Sequence, residues 1–129
     1  MDAQWDAIAD AIDASGLAIL AFLEKEEIQA VIRRTKLAPL TSQSIGDASK
    51  LQTELAKVRR NGYAASRGQR IPGAVGFAAP VFSSSGKVLG DICVTVPEQR
   101  FLKSSEGRLV ELLLKTANEV TETLRGGNA

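Results

Sequence analysis

The chain contains no histidine and only one cysteine, Cys93. Without histidine, the Ser-His and Cys-His pairs of nucleophilic catalysis and the usual zinc sites cannot be built from its own residues. No two carboxylates are spaced to share a catalytic centre, so no catalytic residue, metal or cofactor is expected. One thiol forms no internal disulfide, which points to a reducing compartment, the cytoplasm. Charge of one sign is also missing. Sixteen basic against fifteen acidic side chains leave a net charge of +1, so no field argues for nucleic acid or a membrane surface. The first residues, MDAQWDAIAD, are acidic and lack the basic region of a signal peptide. The longest unbroken apolar run, Leu17 to Leu23, is far too short to span a bilayer. Internal repeats and low-complexity segments are absent.

What is present is ordinary for a globular domain: 129 residues, 44% hydrophobic and 24% charged, with a mean hydropathy of −0.02. A chain of this length forms one domain and buries about two-thirds of its unfolded surface. Its organising stretch is a hairpin, Ala74 to Phe82 and Val88 to Val96, closed by Ser83-Ser84-Ser85-Gly86-Lys87. On the return strand Val88, Ile92, Val94 and Val96 alternate with Leu89, Asp91, Cys93 and Thr95. One face is therefore expected to be apolar and the other to carry a carboxylate, a thiol and a hydroxyl.

Helical periods flank the hairpin. Trp5, Ile8, Ala9 and Ile12 form an amphipathic stripe, with Ser15-Gly16 as a candidate break before a short, largely buried helix over Leu17 to Leu23. Glu24 to Arg34 runs acid first and base last, in agreement with the helix dipole. Lys36 to Gly46 has no period and reads as a long connection. Asp47 is a candidate N-cap for a helix striped by Leu51, Leu55 and Val58 and closed by Asn61-Gly62. Tyr63 to Ser66 reads as a strand and Arg67 to Gly73 as a loop. Ser104-Ser105 opens the longest helix, striped by Leu109, Leu112, Leu113, Thr116, Val120 and Leu124 and stopped by Gly126-Gly127. Helices around a small antiparallel sheet make the class α+β.

Gly62-Tyr63-Ala64, the run from Pro72 to Phe82 (PGAVGFAAPVF) and Gly86-Lys87-Val88 resemble the effector-binding domain of IclR-type transcriptional regulators. Gly16 to Ala21 (GLAILA) is similar to that family's "GKAxLA" helix, and Ile92 to Pro97 (ICVTVP) to its "ISVSGP"-type strand. The resemblance covers 14–125 and leaves 1–13 as an extra N-terminal helix. It implies a GAF-like antiparallel sheet flanked by helices, N-terminally truncated relative to the family, whose winged helix-turn-helix and first effector-domain strands have no counterpart here. A fragment of a larger regulator, a sensor without its own DNA reader and a degenerate remnant all fit that pattern. The resemblance further implies a sensor of a small organic acid that assembles as a homodimer or tetramer and meets DNA only through a domain not present in this chain.

Carried across position by position, the resemblance selects Ala14, Ser15, Gly16, Ser66, Gly76, Cys93 and Thr95 as effector-binding residues. Backbone N–H groups at a helix N-terminus suit an anion, and hydroxyl or thiol groups orient a second oxygen. Many relatives carry an acid where this chain has Ser66. Gly76 poses a geometric difficulty: if Phe82 pairs with Val88, an unbroken ladder sets Phe77 against Cys93 and turns Gly76 to the opposite face. A bulge near Ala78-Ala79-Pro80 would bring it round. The bland readings are a small, inert buried thiol for Cys93, a solvated or arginine-paired Asp91, a solvated face for Lys57, Arg59, Arg60, Arg67 and Arg70, and core rather than dimer seam for the last helix. A module that has lost its ligand and, more remotely, a small enzyme are the alternative functions.

Overall fold

The computed structural model describes residues 13–34, 48–67 and 73–127. The Trp5 stripe, the Lys36–Gly46 connection, the Asp47 cap and the loop after Arg67 as far as Pro72 lie outside the described residues. Among those described, the order is α1 (Ala14–Leu20), α2 (Lys25–Arg34), α3 (Ala48–Asn61), β1 (Ala64–Arg67), β2 (Ala74–Phe82), β3 (Val88–Pro97) and α4 (Glu106–Gly127), with short 3-10 turns at Glu98–Arg100 and Lys103–Ser105. The three strands form one antiparallel sheet in the order β1-β2-β3. The fold is α+β, as expected.

β2 is the centre, and its alternation divides the core. Val75, Phe77, Ala79 and Val81 pack with Leu113 and Ala117 of α4. On the opposite side Ala78 packs with Ala14, Leu17, Ala18 and Leu20 of α1 and with Val31, Leu51, Leu55 and Val58 of α2 and α3. Large side chains thus meet the long helix, and small ones admit α1 close to the sheet. Pro80 sits in this central strand at little cost. The Glu98 N–H bonds to the Gly73 carbonyl at 2.7 Å, which makes Phe77–Val94 and Ala79–Ile92 hydrogen-bonded pairs and leaves Pro80–Asp91 between them. The missing N–H of Pro80 therefore faces the β1 side, where β1 has already ended opposite Ala78.

Three expectations are corrected. Ser15-Gly16 does not break the helix: α1 starts at Ala14 because the Asp13 side chain accepts from the Gly16 N–H at 3.0 Å. The α4 stripe holds at Leu109, Leu113, Val120 and Leu124 and fails at two positions. Leu112 is 43% exposed and Thr116 is exposed, whereas Ala117 and Thr121 are buried. Thr121 belongs inside because its Oγ1 accepts the Phe82 N–H at 3.1 Å, closing the end of β2. Val88 does not share a face with Ile92 and Val94: it packs with the α1 cluster, and they pack with α4. The cause is a bulge, since Val81 pairs with Gly90 and Phe82 with Val88, leaving Leu89 opposite no residue.

Candidate functional site

That bulge builds the site. It lies at Leu89 on β3 rather than near Pro80 on β2, and it shifts the ladder by one residue. Gly76 pairs with Thr95 and Ala78 with Cys93, while Phe82 keeps Val88. Ser66 pairs with Gly76 from the other side. Ser66, Gly76 and Thr95 thus form one row across all three strands, with Ala64, Ala78 and Cys93 forming the next. Residues paired across a ladder project to the same face, which here is the face α1 covers.

α1 closes half of this surface and leaves half open. Ala14, Gly16, Ser66 and Gly76 are buried. A Cβ at Gly76 would stand 3.0 Å from Ser66 Oγ and 3.5 Å from Ala14 Cβ, so any larger residue there presses on the Ser66 side chain and the close approach favours glycine. Beside this packed corner Cys93 and Thr95 are exposed, their Sγ and Oγ1 3.8 Å apart. Ser15 donates to Asp91 Oδ2 at 2.5 Å, tying the first turn of α1 to β3. Among the described residues Asp91 is thus partnered by a serine and not by an arginine. Cys93 is exposed rather than a buried hydrophobe.

The donors differ from those expected. The Gly16 N–H already bonds to the Asp13 carboxylate, so an anion reaches it only by displacing that cap. What the open half offers is the Thr95 hydroxyl and the Cys93 thiol, next to the Asp91 carboxylate and the Ser15 hydroxyl. Asp13→Ala is expected to destabilise the domain by about 1 kcal/mol and Asp13→Asn by much less, because asparagine caps equally well. Urea unfolding of both variants measures the difference.

The neighbouring cations serve other purposes. Arg67, one residue beyond Ser66, bonds to Glu106 Oε1 at 2.7 Å and lies 5.4 Å from the Phe101 ring centroid. Arg59 donates from Nε to the Ala21 carbonyl at 2.6 Å and from Nη2 to that of Leu23 at 3.4 Å, closing the C-terminal end of α1. Arg59 is exposed, as a solvated face requires, but its bonds to carbonyls 38 and 36 residues away leave no local signal. A groove of about 230 Å³ between α2 and α3 is lined by Lys25, Gln29, Gln52, Leu55 and Arg59 among others, and by none of the expected site residues. Among the described residues no group of His, Cys, Asp or Glu could hold a metal ion. No helix there is long and apolar enough to cross a membrane.

Comparison with known proteins gives a consistent result. Residues 12–122 match the family model described as the bacterial transcriptional regulator IclR C-terminal domain. The HTH-type transcriptional regulator BhcR of Paracoccus denitrificans is 27% identical over 113 residues, covering 86% of this chain and 40% of BhcR. The chain therefore spans about two-fifths of the length of that curated relative. The crystal structure of the Thermotoga maritima IclR superposes with a TM-score of 0.83 at 26% identity, covering 88% of this chain and 46% of that one. A double mutant of the PobR inducer-binding domain from Acinetobacter, in complex with 3-hydroxybenzoic acid, superposes with a TM-score of 0.79 at 25% identity, covering 88% of this chain and 65% of that one.

Proposed function

Because the chain belongs to the C-terminal domain family of bacterial IclR transcriptional regulators, we propose that it is a single sensing domain that binds a small organic acid and assembles with copies of itself. The observation that carries this reading is the row Ser66–Gly76–Thr95 with Cys93 beside it, which the Leu89 bulge turns toward α1. Ala14, Ser15, Gly16, Ser66, Gly76, Cys93 and Thr95 stand as the effector-binding set. Ala14, Gly16 and Gly76 shape the closed corner, Thr95 and Cys93 present donors to the open one, and Ser15, whose O–H is given to Asp91, offers it an acceptor oxygen. The relative found with 3-hydroxybenzoic acid supports an acid that also carries a hydroxyl. Such a molecule suits a surface with both hydroxyl donors and a carboxylate acceptor, Asp91. The domain works by binding in the cytoplasm, without chemistry, and any contact with DNA is made by another domain.

A ligand-free assembly module is the second reading, favoured by the tight packing of Ala14 and Ser66 around Gly76. A thermal-shift screen against small aliphatic and aromatic carboxylic acids, hydroxybenzoates included, separates the two. A ligand at a hundred times its Kd stabilises by about 2.7 kcal/mol, a Tm rise on the order of 10 °C. At least one acid is expected to do this, and a flat response across the panel would leave the ligand-free module.

A further inference from the structure

The groove between α2 and α3 is built from one face of each helix. Lys25, Ile28 and Gln29 recur at i, i+3 and i+4 on α2, and Gln52, Leu55, Ala56 and Arg59 at i, i+3, i+4 and i+7 on α3. Ala21, the C-cap of α1, completes the lining. Both helices pack on one core cluster, through Val31 of α2 and Leu51, Leu55 and Val58 of α3. The cleft of about 230 Å³ stands between their facing sides.

Its chemistry is divided along its length. Ala21, Ile28, Leu55 and Ala56 give it an aliphatic floor, and among the described residues no aromatic ring or carboxylate lines it. Both cations stand at one end, because Arg59 bonds to the carbonyls of Ala21 and Leu23, and Leu23 lies two residues before Lys25. Those bonds use Nε and Nη2, which leaves the Nη1 donors for another acceptor. Glu24, Glu26 and Glu27 flank Lys25 in the chain, yet among the described residues neither Lys25 nor Arg59 has a carboxylate partner. Gln52 lies two turns from Arg59, about 10 Å along the α3 axis, roughly the reach of an extended eight-carbon chain.

We infer that this groove binds a medium-chain aliphatic carboxylate, its head between Lys25 and Arg59 and its chain along Ile28, Leu55 and Ala56 toward Gln52. An inorganic anion would use the charged end and leave the apolar floor wet. A neutral chain would cover the floor and leave two cations without a counter-charge. One carboxylate on a flexible apolar chain satisfies both ends. The site is separate from the row on the sheet. It meets α1 at Ala21, the C-terminal end, whereas the effector corner is formed by Ala14 and Gly16 at the other. It therefore stands apart from the sensing reading.

Octanoate is the probe. Calorimetric titration of the wild-type chain is expected to show saturable one-site binding, and octylamine, with the same chain and the opposite charge, is expected to give none. Lys25→Gln is expected to weaken octanoate roughly two- to fivefold, as for the loss of one exposed ion pair. Ala56→Glu sets a carboxylate beside the middle of the chain and is expected to abolish binding. This position is exposed and glutamate is a good helix former, so Tm should stay close to that of wild type. Thr95→Val and Cys93→Phe, on the sheet, are expected to bind octanoate as wild type does. Octylamine binding as tightly as octanoate, or Lys25→Gln matching wild type, would overturn the placement of the carboxylate. No binding to wild type, or binding that survives Ala56→Glu, would overturn the groove. Where surviving binding is lost in Cys93→Phe, the acid sits on the sheet and the sensing reading stands without the groove.

Discussion

Phe77→Ala is expected to lower the unfolding free energy by about 3–5 kcal/mol. The ring is 1% exposed, sits in the central strand between Ala65 and Val94, and lies 5.7 Å from the Phe101 ring centroid at 38°. It holds α4 to the sheet together with Val75, Val81 and Leu113. Truncation removes its transfer energy and leaves a cavity that β2 cannot collapse into, since β2 is fixed by a strand on each side. Urea unfolding should show the midpoint falling with m unchanged. A loss below about 1 kcal/mol would mean that α4 packs elsewhere.

The second large effect concerns the open half of the site. Cys93→Phe is expected to remove effector binding while leaving Tm nearly unchanged. Cys93 lies opposite Ala78 in the row beside Ser66–Gly76–Thr95, so a phenyl group there covers the shelf that a ligand would use. Because Cys93 is exposed, the larger side chain extends into solvent and does not overpack the core. Thr95→Val is the gentler change. It keeps the shape and removes one hydroxyl, and a hydrogen bond to a charged ligand is worth about 1.5–3 kcal/mol, or roughly ten- to a hundredfold in affinity. The thermal-shift response of each variant to the acids that stabilise wild type gives the first readout.

Much of the frame was legible because it is written in local periods. The alternation from Ile92 to Val96, the Ser83–Lys87 turn and the Leu51–Leu55–Val58 stripe each depend on neighbours within one element. The structure places β2, β3 and α3 where those patterns put them. What could not be read depends on relations between elements. The Leu89 bulge has no signal in its own residue types, yet it decides the face of Gly76 and separates Val88 from Ile92. In α4 a hydropathy pattern prefers Leu112 to Ala117. The helix is seated by its contact with β2, which takes Ala117 and turns Leu112 outward. The Gly16 N–H, expected to be free for an anion, is taken by the Asp13 carboxylate, because capping competes with anion binding at the same atom. Arg59 closes α1 from across the fold, which no spacing announces.

The central claim is that a small acid binds on the α1 face of the sheet beside Thr95 and Cys93. Its most direct test is calorimetric titration of wild type, Thr95→Val and folded Cys93→Phe with the acid giving the largest thermal shift. The account predicts saturable one-site binding to wild type, a ten- to hundredfold weaker Kd for Thr95→Val and no measurable heat for Cys93→Phe. Equal affinity for all three proteins would place the ligand off this face and contradict the account.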